Sequence, residues 1–299
     1  MKMVTIILSV LAILTIAFLV VLIQDMIAHK SEIMKEQGNL GVALATGAVT
    51  NFFDALGIGN FATTTLVFKL TKFLKSDKYL PGTLNVGQAI PVVTEAFFFI
   101  TVVKVEALTL GSLVASAVVG SILGARVVSK MPEKKIQLIM GIALIVTSVL
   151  MALKTLGMLD LLGQGNEALG LSGIMLVIGI VGNFIFGALM TAGVGLYAPC
   201  MAMVYMLGLN PLVAFPIMMC SCAALMPTSG IEFVRKGMYS RKAVIGLALG
   251  GIPGVIVAAT FVKSMNLEVL TWIIIVVVLY TAINMLMSAL RKKTETELA

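Results

Sequence analysis

Histidine is nearly absent from this chain: His29 is the only one among 299 residues. A histidine metal site or a Ser/His/Asp relay would rest on that single imidazole, which lies in a polar loop far from any serine in an apolar run. Cysteine is almost as scarce. Cys200, Cys220 and Cys222 all fall in apolar segments. Cys220-x-Cys222 has neither a second pair nor a nearby histidine, so the pattern lacks what zinc needs, and no cofactor is expected. Charge is the third scarcity. Only 12% of the residues are charged and 60% are apolar, whereas soluble domains carry about 25% charge. Mean hydropathy is +1.09. With several apolar runs of about 20 residues, the chain reads as an all-α polytopic membrane protein without a separate soluble domain.

The formal net charge is +7. No basic patch interleaves with aromatic residues, so nucleic acid is not an expected partner. The basic residues sit in short loops between apolar runs, as the positive-inside bias arranges them. Residues 3–24 are longer than a signal-peptide core and lack a small-residue cleavage pattern before Asp25, so they read as an uncleaved first span. Further full spans are expected at 84–103, 107–129, 136–155, 210–231, 241–262 and 268–290. Two other segments, 39–75 and 171–208, are too long for one straight helix across a core about 30 Å thick. Each is broken near its middle by Gly-x-Gly, at Gly57-Ile58-Gly59 and at Gly193-Val194-Gly195.

Each broken segment precedes three spans. The chain therefore divides into an N-terminal helix and loop (1–38), a first repeat (39–160) and a second repeat (161–299), all one membrane domain. Asn85 and Pro91 in one half match Asn210 and Pro216 in the other at the same spacing. Gly120 and Gly124 match Gly250 and Gly254, four apart in each half, and read as helix-packing positions.

The positions of Lys and Arg choose the topology. If each broken segment crosses once, the 21 basic residues split 10 against 11 and give no orientation. If each returns to its own face, 17 gather on one side, leaving only Lys2, Lys104, Lys154 and Lys263 on the other. The positive-inside rule favours the second arrangement, with the N-terminus outside, the C-terminus cytoplasmic and the protein in the cytoplasmic membrane. Three spans per half then invert the second half relative to the first. The expected fold is an inverted repeat of a re-entrant helical hairpin plus three transmembrane helices, with one extra N-terminal helix.

The second arm of each hairpin begins at its tip, where free N–H groups and the positive end of the helix dipole favour a small anion. Candidate substrate-binding residues are Asn51, Gly57, Gly59, Asn60, Thr63 and Thr64 at the first tip. At the second they are Thr191, Gly193, Gly195, Tyr197 and Pro199. Glycines admit close backbone approach, and Pro199 suits a first helical turn because its missing N–H is no loss there. Asp54 and Glu95 are the acidic residues well inside predicted spans. Carboxyls in that position are paired, protonated or functional, so both are candidates for coupling to a proton or cation. Its place in the sequence sets Asp54 beside the negative end of the first arm.

The sequence is similar to the sulfite exporter TauE/SafE family, also called toluenesulfonate uptake permeases. The likeness covers about 40–290 and is clearest in GLYAPCMAMVYMLGLNPLVAFPIMMCSCAALMPTSGIEFVRKGMYSRKAVIGLALGGIPG. The Pro199 turn, the Asn210-Pro211 entry, the basic loop ending in Gly237 and the glycine-spaced next span carry it. The resemblance implies a secondary transporter of small sulfur or organic oxyanions such as sulfite, sulfonates or sulfoacetate, exporting them by alternating access with proton coupling. A cation transporter using Asp54 and Glu95 is the alternative. An intramembrane lipid phosphatase is a further one, but the clustered carboxylates and phosphate-binding arginine it needs are not in the sequence. The expected partners are a small anion and the lipid bilayer, and a homo-oligomer is left open.

Overall fold

The structure is a computed structural model that describes residues 2–56, 58–99, 105–162, 164–261 and 268–290. Among these residues every regular element is helical, and a single isolated bridge joins Ala168 to Leu209. In chain order the helices are α1 (Lys2–Ala28), α2 (Lys30–Ile33), α3 (Leu40–Ala55), α4 (Asn60–Leu70), α5 (Leu80–Gly87), α6 (Ala89–Phe99) and α7 (Ala107–Val128). They continue as α8 (Glu133–Thr155), α9 (Met158–Leu162), α10 (Gly173–Met190), α11 (Tyr197–Met206), α12 (Ala214–Arg235), α13 (Arg241–Phe261) and α14 (Glu268–Leu290). Six candidate membrane spans, within α1, α7, α8, α10, α12 and α13, are long and apolar enough to cross a bilayer.

Burial sorts these helices. α12 forms the centre, with 83% of its most apolar stretch inside the protein, whereas α1 has 17% and lies along the outside of α12. α5 and α6 also run through the interior, and Leu80 to Ala89 are all buried. Around this axis α3 packs on α13, α10 on α7 and α8 on α14. Two of these pairings are glycine-mediated. A Cβ on Gly250 would stand 2.0 Å from the Leu44 carbonyl oxygen, and one on Gly254 2.2 Å from that of Ala48. In the other pair, a Cβ on Gly120 would stand 2.0 Å from the Phe184 oxygen, and one on Gly124 2.6 Å from that of Ala188. Helix backbones meet directly here, which is how helices associate where no water drives them together.

The expected span at 84–103 takes a different form. Helix begins earlier, at Leu80, and is interrupted at Gln88 between α5 and α6. Pro91 supplies the reason: without an N–H it cannot bond the Gly87 carbonyl, and the ladder opens there. Residues 100–104 lie outside the described residues.

Contacts between loops fix the two ends of the molecule. Gln37 Nε2 donates to the Lys72 carbonyl at 2.7 Å, so the segment before α3 meets the segment after α4. Arg241 grips Asp25 at the end of α1 (Nε to Oδ2 2.7 Å, Nη2 to Oδ1 3.1 Å), and Lys236 Nζ reaches Ser129 Oγ at 2.9 Å. Glu133 Oε1 accepts from the Asp77 N–H at 2.8 Å, and Lys69 Nζ pairs with Asp77 Oδ2 at 2.7 Å. These ties gather the basic loops at one end. At the other end of α7, the Glu106 N–H donates to the Leu169 carbonyl at 2.9 Å. There Asn210 N bonds the Ala168 carbonyl at 2.8 Å and Asn166 Nδ2 the Tyr205 carbonyl at 2.8 Å, so the segment before α10 meets the segment after α11. Each broken pair, α3–α4 and α10–α11, thus starts and finishes at one end of the molecule, and the two pairs are rooted at opposite ends.

Candidate functional site at the two helix breaks

The two breaks close in the same way. After α3, the Leu56 and Ile58 N–H groups both donate to the Phe53 carbonyl, at 3.1 and 3.0 Å. After α10, the Ala192 and Val194 N–H groups both donate to the Leu189 carbonyl, at 2.9 and 3.3 Å. The chain then turns through a glycine in the left-handed region, Gly59 (φ +89°) or Gly193 (φ +95°), a conformation that costs any L side chain strain. Gly57 lies outside the described residues. α4 starts at Asn60 and α11 at Tyr197, which places Pro199 in the first turn of α11 as its chemistry suits.

A cavity lies between the breaks. The first contributes Asp54, Gly59 and Asn60 to its lining, and the second Gly193, Gly195 and Tyr197. Cys222 and Met190 close one side, and Leu144, Thr147, Met151 and Lys154 of α8 form another. The cavity volume is about 50 Å³, enough to hold water or one compact ion.

Behind this lining runs a buried polar network. Asp54, only 3% exposed, accepts from the Asn60 backbone N–H at 3.0 Å and from Asn60 Nδ2 at 2.8 Å. Asn60 Nδ2 also reaches Asn51 Oδ1 at 3.0 Å, and Asn51 Nδ2 donates to Gln88 Oε1 at 2.6 Å. Gln88 Nε2 donates to Thr64 Oγ1 at 2.8 Å, and Thr64 bonds Thr50 at 3.2 Å. The helix interruption at Gln88 thus sits where that side chain ties α5–α6 to both arms of the first hairpin. Glu95 is fully buried, and its Oε1 receives the Tyr197 hydroxyl at 3.4 Å, which joins the second break to the network. The Asp54 and Glu95 carboxyls lie near enough to act on each other electrostatically. Glu95 Oε2 has no N–H or O–H donor among the described residues. Two carboxyls in contact form a hydrogen bond only if one carries a proton.

Asp54 lies at the end of the first arm, where the sequence places it, but its carboxyl has a partner that the sequence did not indicate. It belongs to the last turn of α3, but the chain reverses through Ile58 and Gly59, and its carboxyl caps the N-terminus of α4. The protein's own acid holds the first amide of the end read as an anion receptor. Other candidates face inward to the fold. Thr63 Oγ1 bonds back to the Gly59 and Asn60 carbonyls at 3.1 Å each, and Thr191 Oγ1 to the Ala188 carbonyl at 2.6 Å. Asn51, Thr64 and Glu95 stand behind the lining, in the network. Lys154 and Cys222 line the cavity without having been singled out. Lys154 carried a signal, as one of the few basic residues on the charge-poor side; Cys222 carried none that separates it from a packing thiol.

A helical protein with six candidate spans and a cavity between paired helix breaks is a multi-pass membrane protein. Residues 174–298 match the family model described as Sulfite exporter TauE/SafE, and over these residues the chain is similar to that family. The match covers the half in which the resemblance in the sequence is densest. No curated protein and no solved structure matches the chain.

Proposed function

We propose that the chain exports small sulfur oxyanions of the sulfite, sulfonate or sulfoacetate type across the cytoplasmic membrane, by alternating access and with proton coupling. The observation that carries the reading is the single cavity shared by two helix breaks rooted at opposite ends of the molecule, with Asp54 on the first amide of α4. The architecture that fits is an inverted repeat, 39–160 and 161–299, after an N-terminal helix in 1–38. The matching closing turns and the glycine-spaced contacts of α3 with α13 and α10 with α7 support it. By the positive-inside rule, the end carrying Lys69, Lys72, Arg126, Lys236 and Arg241 faces the cytoplasm, with the N-terminus outside and the C-terminus inside.

Ionised Asp54 acts as an internal anion. A proton on it weakens its hold on the Asn60 amide and turns it into a donor for Glu95, whose Oε2 has no other donor among the described residues. The vacated α4 terminus then receives the substrate through backbone N–H groups, with Gly59 and Gly193 allowing close approach. Substrate and proton thus bind together. A sulfite dianion moving with one proton carries one net negative charge. An inside-negative potential favours its exit by about 2.3 kcal/mol per 100 mV. The narrow cavity suits a compact oxyanion.

Sulfite flux in proteoliposomes under imposed pH gradients tests this. Asp54→Asn and Glu95→Gln are expected to abolish the response of flux to the gradient. An undiminished response in both variants refutes the coupling. A cation carrier is the second reading, favoured by the paired carboxyls and the undonated Glu95 Oε2; cation flux without sulfite flux would establish it.

A further inference from the structure

The cavity does not end at the helix breaks. Leu144, Thr147, Met151 and Lys154 line it along α8, at spacings of three, four and three residues, which is one face of the helix. Leu144 sits at the middle of α8 (Glu133–Thr155) and Lys154 in its last turn. Ten residues at about 1.5 Å each carry that wall roughly 15 Å. α8 starts among the basic loops, where Glu133 bonds Asp77. The cavity therefore leads away from the basic end, toward the end at which α8 finishes.

Two groups on this wall are chemically out of place for a packing surface. The Thr147 hydroxyl makes no hydrogen bond among the described residues. On the same helix Ser148 and Thr155 bond back to the Leu144 and Met151 carbonyls, at 2.8 and 2.9 Å. A helical hydroxyl facing a cavity without that internal bond keeps its O–H available. Lys154 brings a cation to an otherwise apolar wall, and such a charge calls for a counter-charge. Asp160, on the short α9 that follows, acts on it electrostatically.

We propose that Thr147 and Lys154 form an outer subsite for the transported oxyanion, distinct from the amide site at the helix breaks. The proposal rests on the transport reading above. The anion takes the place of Asp160 beside the Lys154 ammonium and accepts the Thr147 O–H. Ammonium-to-oxyanion hydrogen bonds are charge-assisted, and the low-dielectric wall strengthens them. The export path then has two stations, one at the α4 terminus in mid-protein and one at the far end of α8. Lys154 governs affinity from one side of the membrane only.

Sulfite flux in membrane vesicles of both orientations tests this with Lys154→Gln, Lys154→Arg, Thr147→Val and Asp160→Asn. Loss of a hydrogen bond to a charged group predicts that Lys154→Gln raises KM about tenfold from the face where α8 ends, with less than about twofold change from the basic face. Lys154→Arg keeps KM near the wild type. Thr147→Val raises it about threefold from the same face, and Asp160→Asn lowers it there by removing the competing carboxylate. The unchanged KM at the basic face is also the control for folding. A shift of equal size from both faces, or none, overturns the subsite. Wild-type vesicles that carry no sulfite overturn the transport reading and the subsite together. Wild-type flux with unaltered variants overturns the subsite alone.

Discussion

Replacing Gly250 by alanine adds one methyl group where α13 crosses α3. Its Cβ would stand 2.0 Å from the Leu44 carbonyl oxygen, 2.9 Å from the Leu44 carbonyl carbon and 3.1 Å from the Ala48 nitrogen. Ordinary van der Waals contact begins near 3.4 Å, so the helices must part by roughly 1.4 Å at this point. The obstacle is backbone, which cannot rotate aside as a side chain would. Overpacking of this kind costs about 1–3 kcal/mol. The strain travels along α3. Asn51 lies seven residues beyond Leu44, about 10 Å up the helix, and its bond to Gln88 is 2.6 Å. A displacement of about 1 Å there would stretch that bond past hydrogen-bonding range. Gly250→Ala is therefore expected to lower both thermal stability in detergent and sulfite flux. Gly111→Ala is the control: nothing lies within 4 Å of its Cβ, and alanine in place of glycine in an exposed helix gains about 1 kcal/mol. A Gly250→Ala protein that melts at or above the wild-type temperature would refute direct backbone contact as the basis of the α3–α13 pairing. So would a Gly111→Ala protein that falls as far.

Gly59→Ala has open space around its Cβ but a φ of +89°, so strain alone should cost about 1–3 kcal/mol; a melting temperature equal to wild type would show that the turn before α4 relaxes freely. Arg241→Met leaves the Asp25 carboxylate without its bidentate partner and should destabilise by about 1–3 kcal/mol, less than a fully buried pair because both side chains retain some solvent. Adding Asp25→Asn to that variant should recover part of the loss, and a double variant as unstable as the single one would sink this account. Tyr197→Phe removes the hydroxyl that reaches Glu95 at 3.4 Å; a bond this long contributes little stability, so the expected result is an unchanged melt with altered pH dependence of flux.

Much of the helical plan was legible because apolar length and loop charge are one-dimensional signals. The breaks at Gly57–Gly59 and Gly193–Gly195 followed from segment length. Their return to one end followed from where the lysines and arginines lie. Three features were not legible, each for a physical reason. The interruption at Gln88 depends on Pro91 three residues later, and a proline near the start of an apolar run also fits an unbroken helix. The placement of Asp54 on the α4 terminus depends on a reversal through Ile58 and Gly59, where side-chain direction no longer follows helical spacing. Lys154 sits at a helix end and reads as a loop charge until α8 is packed against both breaks, when the cavity gives it a wall to line.

The exterior position of α1 bears on how the protein is made. Its anchor, the Asp25–Arg241 pair, joins residues 216 positions apart. α1 cannot find that partner until the residues between them have been synthesised. During biosynthesis α1 therefore stays unlatched at this end while the helices between Asp25 and Arg241 are made.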